Sequence, residues 1–497
     1  MIRRLLIANR GEIALRIIRA CREMSIETIA VYSAADAQAP HVAAADRAAA
    51  LGPAPASESY LSIPRLIDAA RAHRADAVHP GYGFLSESAA FARACEAAGL
   101  IFVGPPSDVI ARMGSKIEAR RLMQAAGVSI VPGETPDDQS DRGIERALER
   151  VGYPALVKAS AGGGGKGMRA VRGAAEALEA IQAARREATA AFDDGSLYVE
   201  RLIDRPRHVE VQIFGDHQGN ITHLFERECS IQRRHQKVVE ESPSPALTAA
   251  LRTRMTDAAA AAARAAGYRN AGTIEFLVEG DGDSATFYFL EMNTRLQVEH
   301  AVTEAIAGVD LVRAQLLVAS GEALPWHQGL LNQRGHAIEA RIYAEDPSRG
   351  FVPQAGRLLL YREPRAPGVR VDAGVVEGGD VPVHYDPNLA KVIASGETRA
   401  IAIARLVAAL RDYPILGVHT NIPFLIRVLE HPGFRAGDFD TGFLDREGPA
   451  LADFSDELPP FLLESVQQIK ADVSFGPGVT SAEPEVDPWT TLRGWRS

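Results

Sequence analysis

The chain has 497 residues, 46% apolar and 24% charged. These are ordinary globular values and exclude a disordered, collagen-like or coiled-coil chain. Lysine and arginine number 54 against 64 aspartate and glutamate, a net charge of −10, which argues against a nucleic acid as the main partner. The length suggests roughly three or four folded units. Three scattered cysteines, Cys21, Cys95 and Cys229, are too few for a disulfide framework or a zinc site and fit a reducing, cytoplasmic setting. The apolar run that opens the chain stops after four residues, short of the roughly 7–15 of a secretory signal. No stretch approaches the ~20 apolar residues of a membrane span, so no membrane association is expected.

In chain order, apolar runs at 5–8, 26–32, 75–79 and 101–104 alternate with helical patterns at 13–22, 64–74 and 86–99. That alternation predicts a parallel α/β sheet, and the first domain is placed at 1–113. A helix is predicted over 116–127, then short strands around a glycine run over about 130–203. From about 204 the chain becomes strand-rich, with one alanine-rich helix over 248–266. After Gly321, antiparallel strands are expected at 337–343, 356–361, 369–371 and 389–395, followed by a helix at 400–410. From 447 the chain reads as a weakly structured tail, acidic and proline-rich from about 451. No internal repeat is visible.

Two segments carry chemistry. The first is Ala161-Gly162-Gly163-Gly164-Gly165-Lys166-Gly167, between predicted strands at 155–159 and 168–171. Consecutive glycines let backbone N–H groups approach an anion. A P-loop needs Gly-Lys-Ser/Thr and then a helix; here a second strand follows. The segment is either a flap over phosphates or a flexible surface hairpin. Lys158, at the end of the first strand, favours the flap, because it can reach a phosphate as a point charge. The second is 271–300. Strands at 273–278 and 286–291 flank a turn-rich run. A hairpin centred near residue 283 sets Glu275 opposite Glu291, with Cβ atoms about 4.5–5.5 Å apart. Like charges so placed need a cation between them, and oxygen ligands suit Mg²⁺ (or Mn²⁺) bridging nucleotide phosphates. If the chain stays extended, Glu291, Asn293, Arg295, Gln297 and Glu299 share one side, and Met292, Leu296 and Val298 the other. In the basic run 232–237, extended geometry puts His235 and Lys237 on one face; charge alone also allows a solvated surface strand. Cys229 lacks the companions of an acyl-transfer nucleophile.

At this point the sequence resembles the biotin carboxylases of the ATP-grasp superfamily, over about residues 1–446. The motifs are Ile7-Ala8-Asn9-Arg10-Gly11-Glu12-Ile13-Ala14, His79-Pro80-Gly81-Tyr82-Gly83-Phe84-Leu85-Ser86-Glu87, Ser230-Ile231-Gln232-Arg233-Arg234-His235-Gln236-Lys237 and Glu291-Met292-Asn293-Thr294-Arg295-Leu296-Gln297-Val298-Glu299-His300. The resemblance implies a mixed α/β and α+β chain: a Rossmann-like N-terminal domain (1–113), an ATP-grasp domain (114–330) with a mobile lid (about 130–203), a C-terminal antiparallel-strand region (331–446) and the tail (447–497).

It also implies roles. Lys116, Lys158, Gly164, Gly165, Glu200, Arg201, Leu202, Ile203, His208, Gln232, His235 and Glu275 resemble the ATP contacts. Glu275, Glu291 and Asn293 resemble the metal ligands. Lys237, Arg295, Gln297 and Val298 resemble the bicarbonate pocket, Glu299 the general base, and Arg341 the residue facing biotin. Sequence alone equally allows Arg341 a surface ion pair with Glu339. Arg201 stands where Lys is more usual, and Asn388 where Met is more usual. The implied activity is ATP-dependent carboxylation of carrier-bound biotin through carboxyphosphate, the first half-reaction of an acetyl-CoA or related acyl-CoA carboxylase. The implied partners are a carrier protein, carboxyltransferase subunits and a second copy in a homodimer. Carrier lysines of this family usually lie in a Met-Lys-Met setting. The only lysine after Lys391 is Lys470, with no flanking Met, so the biotin is expected on a separate chain. The run 487–496 resembles the crossing into the carrier half of acyl-CoA carboxylase α subunits, as in a split or shortened α subunit. Two alternatives are another ATP-grasp carboxylate ligase and a non-catalytic nucleotide-binding regulator. A regulator would lack one or more of Lys237, Glu299 and Arg341, all of which are present.

Overall fold

Apolar runs followed by returning helices build a parallel sheet at the N-terminus, because each helix brings the chain back to the same end of the sheet. In the computed structural model, which describes residues 1–160 and 167–453, its strand order is Arg47–Gly52, Glu27–Ser33, Arg4–Ile7, Ala77–His79, Ile101–Phe102. The Arg47–Gly52 strand was not expected. Its alanines have little strand propensity, and parallel pairing with Glu27–Ser33 overrides it.

The next segment carries a four-stranded sheet in the order Gly133–Glu134, Leu197–Arg201, Ala155–Ala159, Met168–Val171. The expectation of strands alone is corrected here by two helices, Asp141–Val151 and Ala177–Phe192. Ser140 caps the first by accepting from the Gly143 N–H at 3.1 Å. Ile144, Ala147 and Leu148, at helical spacing, pack with Val157, Ile181 and Val199 in a core of their own. Gly164 and Gly165 of the glycine run lie outside the described residues, as do Lys470 and the run 487–496.

The centre of the molecule is an eight-stranded sheet, antiparallel throughout. Its order is Thr286–Asn293, Asn270–Glu279, Arg207–Gly215, Ile221–Arg233, Gln236–Ser242, His336–Tyr343, Asn388–Gly396, Val369–Ala373. The strands after residue 330 join the earlier ones directly, with Ser242 opposite Ala337. The stretch expected as one strand at 356–361 splits into Gly356–Arg357 and Leu360–Tyr361, each paired elsewhere. The helix Phe443–Leu451 runs past residue 447, where the tail was expected to start.

Side chains alternate between the two faces of this sheet. On one face Val209, Val211, Ile213, Ile274 and Phe276 pack against Leu251, Met255 and Ala259 of the helix Ala249–Ala266. The other face carries opposed charges: Glu210 to Glu275 to Glu291, Glu240 to Glu339, and Arg341 to Lys391 to Asp372. The helix His300–Ala307 covers part of that face, with Ala301, Val302 and Ile306 on Ala337 and Ile393. No helix among the described residues is long and apolar enough to cross a membrane.

Candidate active site

The alternation that buries Val209 and Val211 turns His208 and Glu210 to the charged face. Glu275 lies directly between Glu210 and Glu291 across three strands, so the Glu275–Glu291 pairing read from the sequence is observed, although a register shift between Glu275 and Phe276 displaces the turn-side pairs, such as Phe276 with Phe289, from the expected centre. Three carboxylates in a row destabilise a sheet unless cations intervene. Lys237 supplies one: its Nζ lies 2.5 Å from Glu210, 3.0 Å from Glu275 and 2.7 Å from Glu299. Arg227, wholly buried, holds the other Glu210 oxygen at 2.6 Å. His208 Nε2 meets Glu275 at 2.7 Å.

Glu299 is fully buried and stands at the N-terminus of the helix His300–Ala307. One carboxylate oxygen accepts from Lys237 and the other from Arg341, at 3.0 Å. Burial pushes its carboxyl up, but the charges of Lys237, Arg341 and Arg227 outweigh burial and hold it well below the usual range. Arg341 is anchored from behind by Glu240, whose carboxylate accepts from its Nε at 2.6 Å.

The segment after Asn293 corrects the sequence reading. The strand ends at Asn293, because Thr286–Asn293 is an edge strand and the chain must turn into the next helix. Residues 294–299 are therefore not one extended run, and Val298, expected to point away, lines the cavity. Arg295 and Gln297 still meet the carboxylates. Gln297 donates to Glu275 at 2.9 Å, Asn293 donates to Glu275 at 2.6 Å, and Arg295 donates to Gln297 at 2.5 Å and to Glu87 at 2.8 Å.

A cavity of about 800 Å³ opens over this array. His208, Lys237, Glu275, Glu291, Asn293, Arg295, Gln297, Val298 and Arg341 line it, with Arg10, Tyr82 and Glu87 from the N-terminal region opposite. His235 also lines it, at the tip of a tight hairpin where Arg234 and His235 both have positive φ, 49° and 65°. Such turns normally take Asn-Gly, and backbone strain of this kind concentrates at functional sites.

Other expected residues lie outside the cavity lining. Lys158 is buried and donates to Glu200 at 2.8 Å; burial opposes its charge, and Glu200 more than compensates. Arg120 pairs with the same Glu200. Lys116 is drawn down by burial, which the charge of Glu291 counters. Its peptide N–H donates to Ser160 at 3.0 Å. The Arg201 side chain bonds Glu279 at 2.7 and 2.9 Å, while the Arg201 and Leu202 N–H groups donate to Pro132 and Pro154. The departure at Arg201 thus falls on a surface pair and leaves the backbone path intact. Ile203 is buried, and Gln232 sits opposite Lys237.

Sequence reasoning missed Glu210, Arg227, Glu240 and Glu87. The signal for Glu210 was present: His208, Glu210 and Gln212 alternate with Val209, Val211 and Ile213. Arg227 and Glu240 gave none, since their partners lie on other strands.

The residues present fit a hard divalent cation. Glu291 forms no hydrogen bond or salt bridge among the described residues, and burial and the facing Glu275 push its carboxyl up. Two opposed carboxylates with the Asn293 amide give the oxygen donors that Mg²⁺ or Mn²⁺ prefers. By contrast, the cluster His208, Glu210 and Glu275, with ligand atoms within 4.8 Å of one another, is occupied by the Lys237 ammonium.

Three family models match the chain: "Biotin carboxylase, N-terminal domain" over 1–110, "Carbamoyl-phosphate synthase L chain, ATP binding domain" over 115–327, and "Biotin carboxylase C-terminal domain" over 339–446. The chain is 50% identical to a biotin carboxylase of Halalkalibacterium halodurans, covering 89% of this chain and 97% of that one. It is 51% identical to the mitochondrial methylcrotonoyl-CoA carboxylase subunit alpha of Glycine max, over 89% of this chain and 60% of the relative. The chain thus spans about six tenths of the length of those α subunits. Among solved structures, the biotin carboxylase domain dimer of Hydrogenobacter thermophilus 2-oxoglutarate carboxylase, in complex with MgADP, ADP and bicarbonate, superposes with a TM-score of 0.88. It is 42% identical, covering 92% of this chain and 100% of that one.

Proposed function

The chain belongs to the biotin carboxylase family, and on that premise we propose that it uses MgATP and bicarbonate to carboxylate biotin carried on a partner. The observation that carries this reading is Glu299, a buried carboxylate held between Lys237 and Arg341, both of which line the cavity.

Bicarbonate is a poor electrophile and must be activated. Its oxygen attacks the γ-phosphorus of ATP, the bond to ADP breaks, and carboxyphosphate forms. Lys237 and Arg295 hold the anion, and Gln297 and Val298 shape its pocket. Glu299 takes the bicarbonate proton, for which it must be ionised, as its two cationic partners keep it. Those partners also attract the incoming anion. Once bicarbonate shares Lys237, Glu299 loses part of its stabilisation and becomes a stronger base where one is needed. Glu275, Glu291 and Asn293 would hold the divalent cation, which when bound neutralises charge on the nucleotide phosphates. Lys116, Lys158, His208, Gln232, His235 and the segment of Glu200, Arg201, Leu202 and Ile203 serve the nucleotide, with Gly164 and Gly165 as its flap.

Carboxyphosphate then releases carbon dioxide and phosphate. The phosphate accepts the ureido N–H proton of biotin, and the nitrogen attacks carbon dioxide to give carboxybiotin. Arg341 faces the developing negative charge on the ureido oxygen, and a guanidinium cannot be neutralised there. In this reading ATP, bicarbonate and biotin are the reactants that meet in the cavity. The half-reaction therefore serves an acyl-CoA carboxylase whose carboxyltransferase selects the acyl group, and the likeness to methylcrotonoyl-CoA carboxylase α subunits supports a branched acyl-CoA as much as acetyl-CoA. A homodimer is part of the proposal, supported by the dimer of the Hydrogenobacter relative.

The test is phosphate release from MgATP. Release that requires bicarbonate and rises with added biotin supports the reading. Vigorous hydrolysis indifferent to both overturns it.

A further inference from the structure

The strand Asn388–Gly396 places a lysine where the reaction so far has no use for one. Lys391 lies opposite Arg341 on one side and opposite Asp372 on the other, and its side chain is 0% exposed. Burying an ammonium costs several kcal/mol unless its surroundings answer the charge. An apolar side chain of similar length would fill the same space without that cost, so the charge must serve a contact.

That contact is specific. The Lys391 Nζ donates to the backbone carbonyl of Val298, in the turn that joins the strand Thr286–Asn293 to the helix His300–Ala307. This carbonyl belongs to the peptide between Val298 and Glu299. Fixing it fixes the backbone rotation on both sides: the end of the segment that brings Gln297 and Val298 to the cavity, and the start of Glu299. The turn follows an edge strand and has no ladder partner; Glu87 accepts from the Thr294 N–H at its start and the Gln297 carbonyl from the His300 N–H near its end, while the Val298 carbonyl between them is the group that Lys391 holds.

The ammonium is itself held in place. Glu12, from the first helix of the chain, lies 3.6 Å away, and the oxygen that faces the ammonium also accepts from the Tyr82 hydroxyl. Asp372 is fixed by Arg19 and Arg370, each at 2.6 Å. The donor thus stands on the N-terminal region and on the far edge of the large sheet together, and reaches the turn from behind.

Resting on the proposed carboxylase reading, we propose that Lys391 is a positioning residue for bicarbonate activation: its hydrogen bond to the Val298 carbonyl holds Gln297, Val298 and Glu299 in the geometry that binds the anion and removes its proton. The nucleotide contacts come from other elements and do not depend on this bond.

The test compares wild type, Lys391→Met and the charge-balanced pair Lys391→Met with Glu12→Gln, with Glu12→Gln alone as control. Steady-state phosphate release is measured against bicarbonate and against ATP, with thermal unfolding alongside. The expected result is a KM for bicarbonate raised about tenfold or more and a lowered kcat, with the KM for ATP within about twofold. The double variant keeps the buried charge balanced, so it reports the same split if Lys391→Met alone does not fold. Folded variants with unchanged bicarbonate KM overturn the inference, and so does an equal rise in both KM values, which marks a general loosening. A wild-type enzyme without bicarbonate-dependent turnover overturns the carboxylase reading and this inference with it. A wild type that has it, beside unaltered variants, overturns this inference alone.

Discussion

The large sheet carries several pairs of opposed glutamates, and two of them invite comparison. Glu275 faces Glu291 near one edge, and Glu240 faces Glu339 four strands further on. Backbone register treats them alike, yet their surroundings differ. Glu275 and Glu291 line the cavity, and Glu275 collects His208, Lys237, Asn293 and Gln297. Glu240 and Glu339 are wholly buried. Glu240 is spent on Arg341, while neither oxygen of Glu339 finds a hydrogen-bond donor among the described residues. Burial pushes the Glu339 carboxyl well up, against the charge of Lys391. The same register thus leaves one pair facing a cavity, with oxygen donors open to a ligand, and shuts the other away from solvent. In the dry interior a guanidinium answers the charge of one partner, and burial disfavours ionisation of the other.

The comparison can be broken at three places. The largest effect is expected at Glu299, which lies between the two pairs: Glu299→Gln should cost about a thousandfold in bicarbonate-dependent turnover while ATP binding persists. Wild-type turnover in that variant would refute the assigned base. Next comes Glu291→Gln at the open pair. It should raise the Mg²⁺ concentration for half-maximal activity by roughly ten- to a hundredfold, measured by cation titration at saturating ATP. An unchanged titration would remove Glu291 from the ligand set.

The smallest effect is expected at the dry pair. Glu339→Gln keeps the shape of a side chain that is shut away from the cavity, and turnover should stay within about twofold. Its consequence is on stability against pH. A carboxyl raised on folding stabilises fully below its unfolded value and loses that contribution as pH rises toward the folded value. The variant should therefore unfold at about the same temperature as wild type near pH 4. It should unfold about 2 °C higher at pH 8. A variant less stable at pH 8 would mean that Glu339 is ionised and paired.

Reading the chain from its residues went furthest where interactions are local. The Glu275–Glu291 pairing was legible because both residues lie within one short hairpin, although a register shift beside Glu275 completes it, and hydrophobic alternation marked most of the strands. The helix Asp141–Val151 left a signal in the spacing of Ile144, Ala147 and Leu148, but the glycine run drew the expectation toward strands alone, there and at Ala177–Phe192. Val298 was misassigned because alternation was carried past the end of a strand whose edge position the sequence does not reveal.

By itself, then, the sequence determined the alternating α/β start, the carboxylate hairpin and the motifs that mark the family. These depend on side-chain periodicity and turn chemistry within a few residues of one another. Only the tertiary structure decided that the strands after residue 330 extend the same sheet, that Lys237 and Arg341 converge on Glu299, and that Lys391 reaches Val298. Those contacts join residues 42 to 93 positions apart. They are fixed by sheet order, which packing the whole chain selects and no local pattern encodes.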